Sequence, residues 1–159
     1  MSYKHIIFDV DGTLLDSEKA TITALQETIR ELKNKEVPYE DMKFTKESFG
    51  KTDGILAFHG YQSFKKGEVT AAVAHEIGVK FAEEMFKDYE VVVSTHQNTN
   101  HIHNHFILNS VSFKTGKKYN NNRTNIAKLR QISDSLCAEY GLSVLDEDKV
   151  IKAPIIIKF

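Results

Sequence analysis

The sequence predicts an α+β fold, an antiparallel sheet with helices packed on one face and an N-terminal strand–helix unit added to it. Three observations predict it. Apolar residues recur at helical spacing in Val73, Ile77, Phe81 and Met85, and again in Ile126, Leu129, Ile132 and Leu136. Between those segments, residues 89–95 and 103–113 read as strands joined by a polar turn. Beyond the first residues, strands and helices do not alternate as regular βαβ units, which favours antiparallel pairing.

The elements follow in order. His5 to Val10 reads as a short buried strand, and Gly12-Thr13 as the turn after it. Ser17 is placed to cap a helix carrying Ile22, Leu25, Ile29 and Leu32 and ending near Asn34. Val37-Pro38-Tyr39 breaks that pattern, because the residue before proline is pushed out of the helical region. A second helix is expected from Tyr39 to Phe49, closed by Gly50. Residues 55–64 read as a strand interrupted at Gly60, and residues 65–68 as a turn. Thr70 caps the next helix. After the two strands of the predicted hairpin, residues 114–123 form a polar loop and residues 125–140 a helix ended by Gly141. Leu142 to Leu145 is expected as a short strand. The tail from Val150 to Phe159 contains Pro154, which would confine it to a sheet edge. Three parts result, with boundaries at residues 1–41, 42–146 and 147–159.

Composition narrows the class. The chain has 159 residues, 41% hydrophobic and 27% charged, enough to build a core and ordinary for a soluble protein. The net charge of −1 neither favours nor disfavours a nucleic-acid partner. Cys137 is the single cysteine, which excludes an internal disulfide and suits a reducing compartment. No apolar run approaches the roughly 18 residues that span a bilayer, and no signal peptide is visible. A soluble, cytoplasmic protein without a membrane partner is expected. The sequence does not define an oligomeric state.

Four of the seven histidines fall in one short segment, at His96, His101, His103 and His105. Strand side chains alternate between faces, so His103 and His105 share one, and His96 can be brought level across the hairpin. Three converging imidazoles make a site for a divalent metal, since neutral imidazole is a good ligand near pH 7. Magnesium, manganese and zinc are not distinguished. A second feature is the strip Lys114, Lys117, Lys118, Arg123, Lys128 and Arg130, which holds no acid and is interleaved with asparagines. It suits phosphate contacts, with Lys117, Lys118 and Arg123 as candidate DNA-binding residues. Cys137 falls near the apolar face of the last helix and reads as core.

The pattern His96-x-Asn98-x-x-x-x-His103-x-His105, followed by Phe106-Ile107-Leu108-Asn109-Ser110-Val111, resembles the histidine-triad motif of the relaxases that start plasmid mobilisation. The segments Phe49 to Gly54, Ala57 to Phe64, Gly67 to Thr70, Ala74 to Gly78 and Ser135 to Ser143 extend the resemblance over residues 42–146. It implies a DNA-nicking domain that binds single-stranded DNA and a divalent metal held by His96, His103 and His105. It also implies Asn98 and His101 as supporting groups, with Asn98 standing where the family often has aspartate. The family nucleophile is a tyrosine upstream of the matched part, and no recognisable version of that motif is present, so the catalytic residue is unassigned.

Residues 5–18 carry a second resemblance. Asp9-Val10-Asp11-Gly12-Thr13 is similar to the first motif of haloacid-dehalogenase-type phosphatases. It implies Asp9 as a nucleophile and Asp11 as a general acid/base, with magnesium. The rest of that family's machinery is not visible, and about 40 residues cannot build its fold. The leading expectation is therefore a relaxase-like mobilisation protein performing metal-assisted transesterification. The rivals are a magnesium-dependent phosphatase and a non-catalytic DNA- or metal-binding remnant.

Overall fold

The computed structural model describes residues 38–97 and 101–144. The expected N-terminal strand and helix, Asp9 and Asp11, Asn98 and the C-terminal tail lie outside the described residues. Six elements follow in order: α1 (Pro38–Ser48), β1 (Ala57–Ser63), α2 (Ala71–Met85), β2 (Val91–His96), β3 (His103–Asn109) and α3 (Arg123–Glu139). The strands form one antiparallel sheet in the order β1-β3-β2. The architecture is the α+β one expected, with α2 and α3 against one face of the sheet.

Local chemistry fixes the helix ends. Pro38 opens α1 rather than breaking before it, because proline's missing N–H costs nothing in a first helical turn. The Thr70 hydroxyl accepts from the Val73 N–H at the start of α2, and the Asn122 side chain accepts from the Asn125 N–H at the start of α3. At the end of α3 the Gly141 N–H donates to the Ala138 carbonyl and the Leu142 N–H to the Cys137 carbonyl, with Gly141 at φ 68°. This double closure is a Schellman motif. It removes the strand expected at Leu142: that residue's N–H is spent on the helix end, and the Ser143 N–H donates to Glu68.

Two strand expectations are corrected. β1 runs without interruption through Gly60, which pairs with Phe106. β3 ends at Asn109 instead of continuing to Phe113. Beyond it the chain turns back at Gly116, and Val111 pairs with Lys118.

Alternation along the strands separates two faces. Phe58, Gln62, Asn104, Phe106, Leu108, Val93 and Thr95 turn toward α2 and α3. There Ile77, Phe81, Phe106, Leu108 and Leu129 are fully buried, with Cys137 beside them as expected. A polar row crosses this core. The Gln62 amide donates to the Ser133 hydroxyl, the Asn104 amide to the Gln62 and Ala74 carbonyls, and the Thr95 hydroxyl to Asn104. Such a row ties three strands and two helices in one arrangement, because each unmet buried polar group would carry its full desolvation cost.

The opposite face holds His59, Tyr61, His103, His105 and Ile107, with Ser94 and His96 from β2. α1 docks at one end of that face through Asn109. The fully buried Asn109 side chain accepts from Lys46 Nζ at 2.8 Å and donates to the Met42 carbonyl and to Glu90 Oε2. Thr45 also donates to Glu90. Replacing Asn109 with alanine strands a carbonyl, a carboxylate and an ammonium together. Urea unfolding of Asn109→Ala is expected to show a loss of about 2–3 kcal/mol.

Candidate metal centre

β2 and β3 deliver the three histidines by pairing alone. His96 is the direct cross-strand partner of His103, and His105 stands opposite Ser94, two residues along on the same face. Ring centroids lie 5.0 Å apart for His96–His103, 4.4 Å for His96–His105 and 4.9 Å for His103–His105. One ligand nitrogen from each falls within 4.8 Å of the others. Nitrogens bound tetrahedrally at about 2.1 Å to one ion stand about 3.4 Å apart, so closure demands ring movements of up to about 1.4 Å, within reach of side-chain rotation.

The protonation chemistry suits such a donor set. Burial, and then the neighbouring His96, His59 and His103, hold the His105 pKa down at about 3. Burial also lowers that of His103. Both rings are therefore neutral near pH 7, the form that can ligate. The His103 Nδ1 lies 3.2 Å from the His101 carbonyl, which can only accept; Nδ1 carries the proton and Nε2 keeps its lone pair. His101 thus supports His103 through its backbone oxygen, and its ring lies 5.3 Å from that of His103.

The sign of the pH dependence follows. An unfolded histidine titrates near 6.5, well above folded His105. Below about pH 6.5 the unfolded chain binds the extra proton, and stability falls as pH falls. Between pH 7.5 and 5 the metal-free protein is expected to lose about 2 kcal/mol through His105, in urea titrations at stepped pH. Equal midpoints across that range would contradict the assignment.

Sequence reasoning missed His59. It lies on β1, opposite Ile107 and diagonal to His105, and its Nε2 is 2.7 Å from His105 Nδ1. Tyr61, directly opposite His105, also faces the site, with ring centroids 6.5 Å apart. Burial raises the Tyr61 pKa above its usual range, which disfavours the phenolate a nucleophile needs. Neither was visible beforehand, since the signal is the register of a strand some 40 residues upstream.

The basic residues lie elsewhere. Lys118 pairs with Val111 past the far end of β3, and at about 3.3 Å per residue that is roughly 20–25 Å from His103 and His105. Lys117, Lys118 and Arg123 are exposed. Lys118 is engaged by the Asp53 carbonyl at 2.6 Å and its carboxylate at 3.7 Å. Arg123 opens α3, where the helix dipole disfavours a cation.

A three-stranded antiparallel sheet backed by two helices, with a histidine cluster on its other face, defines an α+β domain with a candidate metal centre. Residues 11–142 match the family described as relaxase, MobA/VirD2-like, nuclease domain, and the chain belongs to that family. It is 35% identical over 142 residues to a protein Rlx of Staphylococcus aureus, covering 85% of this chain and 43% of that one. A second Rlx of that species is 43% identical over 110 residues, covering 69% of this chain and 34% of that one. The group II intron-interrupted relaxase LtrB of Lactococcus lactis subsp. cremoris is 31% identical over 121 residues, or 67% of this chain and 22% of that one. The matches thus span less than half the length of these relatives. No solved structure matches the chain. The family match begins at residue 11, inside the segment read as phosphatase-like, so the comparisons lend that reading no support. Among the described residues, no helix is long and apolar enough to cross a membrane.

Proposed function

We propose that this chain is the part of a relaxase that holds a divalent metal through His96, His103 and His105 and binds single-stranded DNA beside it. The observation that carries the reading is the convergence of those three rings on one face of the sheet. When bound, a metal here would withdraw electron density from a phosphate oxygen of the DNA, assisting transesterification at that phosphodiester. The chain's own part is to present neutral imidazoles and to hold them on two paired strands. Three nitrogen donors favour a transition metal such as zinc or manganese over magnesium, which prefers oxygen. Asn98 and His101 are the supporting groups in this reading. Lys117, Lys118 and Arg123 would hold the DNA backbone away from the reacting phosphate, along a strand that runs the length of the domain.

Calorimetry with manganese or zinc, and fluorescence anisotropy with a labelled single strand and its duplex, test the reading. Tight metal binding and a preference for the single strand are expected. The triple variant Lys117→Ala, Lys118→Ala, Arg123→Ala is expected to weaken DNA binding and reduce the salt slope by about 2. A folded chain that binds neither metal nor single strands overturns it. A denaturation-resistant protein–DNA adduct would show nicking, whereas tight binding without one would mark a binding remnant.

A further inference from the structure

His59 lies on a different strand from any of the three clustered histidines, yet its ring meets one of them directly. The His59 and His105 planes are 2° apart, their centroids are 4.9 Å apart, and His59 Nε2 is 2.7 Å from His105 Nδ1. Parallel rings with atoms that close cannot be stacked face to face, because van der Waals contact keeps stacked faces further apart. The two imidazoles meet edge to edge in nearly one plane, the geometry of a nitrogen–nitrogen hydrogen bond. From this we infer that His59 is a positioning residue for the metal centre. Its Nε2 accepts the Nδ1 proton of His105, and so locks His105 in the tautomer whose Nε2 lone pair faces His96 and His103. The inference rests on the metal-binding reading above.

Ligation through His105 Nε2 selects one of the two assignments that the His59–His105 contact allows. A histidine that ligates through Nε2 must carry its proton on Nδ1, and that proton needs an acceptor. For His103 the acceptor is the His101 carbonyl. For His105 it is His59, which must then keep its own proton on Nδ1. Each of these two rings is thereby oriented from outside the site by a group that is not a ligand. His59 sits diagonal to His105 across the β1–β3 pairing, and that register holds the two rings within reach. A carboxylate more often takes such a role. A neutral imidazole fixes the tautomer while adding no negative charge beside the site.

The experiment uses the full chain labelled with nitrogen-15 and two variants, His59→Ala and His59→Gln. Glutamine keeps an acceptor oxygen on a side chain of similar reach; alanine has none. Imidazole nitrogen shifts of the metal-free protein are expected to show His105 as the Nδ1–H tautomer. In His59→Ala that tautomer loses its dominance, and zinc or manganese affinity falls by about 10–100-fold. His59→Gln restores both. Wild-type His105 found mainly as Nε2–H overturns the inference. So does a folded His59→Ala with unchanged metal affinity. Should His59→Ala not fold, the wild-type tautomer and the affinity of His59→Gln decide. A wild-type chain that binds neither metal sinks the functional reading itself, whereas metal binding indifferent to His59 sinks this inference alone.

Discussion

His105→Ala is expected to abolish most metal binding, lowering affinity by more than about 100-fold. Losing a group that only supports a ligand costs about 10–100-fold, and His105 is placed to be a ligand itself. Its ring completes a near-equilateral triangle with those of His96 and His103, with centroids 4.4 and 4.9 Å away, so its removal leaves two donors that pair directly across the strands. A thermal shift reads the effect without any DNA. At a metal concentration about 100 times the dissociation constant, binding to the folded state alone adds about 2.7 kcal/mol. For a chain of 159 residues that corresponds to roughly 5–10 °C in Tm. The wild type should show such a rise with zinc or manganese, and His105→Ala little of it at the same concentration. Comparing the rise in each protein, and not the Tm itself, separates metal loss from the packing lost with the ring. An equal rise in both would remove His105 from the site.

The histidine cluster was legible because it rests on the simplest rule of strand geometry. Residues two apart share a face, and a short hairpin sets the partner strand level. The long helices were legible for the same kind of reason, since an apolar stripe at helical spacing admits few alternatives. His59 was not, because its meeting with His105 depends on β1 pairing with β3 across a long stretch of chain, and the register was not visible in either segment. The row Gln62, Asn104 and Thr95 misleads in another way. These polar residues look fit for solvent, yet each is at most 1% exposed and turned into the core, where hydrogen bonds replace water. Leu142 read as strand because its side chain is apolar, but the Schellman closure of α3 had already claimed its backbone. The basic strip was visible as charge, while its distance from the histidines is a property of where β3 ends.

The same buried row makes Gly78 a sensitive position in the helical layer. A glycine inside a helix ordinarily costs about 1 kcal/mol relative to alanine, so α2 should gain from the substitution. Here the added Cβ would stand 2.5 Å from Asn104 Nδ2, 2.9 Å from its Cγ and 3.1 Å from Val93 Cγ1. The Asn104 amide cannot step aside, because it donates to the Gln62 and Ala74 carbonyls while its oxygen accepts from Thr95. Overpacking against a fixed amide outweighs propensity, and Gly78→Ala is expected to lose about 2 kcal/mol in urea unfolding. Gly78→Leu adds a whole side chain at the same contact, and its loss should exceed about 4 kcal/mol. The damage should also reach the metal centre. Asn104 lies between His103 and His105 on β3, so a strand pushed away from α2 carries both rings with it. Metal affinity of Gly78→Ala should therefore fall, although Gly78 faces the other side of the sheet. Shortening the obstructing side chain tests the cause. In the double variant Gly78→Ala, Asn104→Ser, part of the loss should be recovered, giving a coupling of at least about 0.5 kcal/mol between the two sites. Strict additivity would place the fault in α2 itself and not in the contact between helix and sheet.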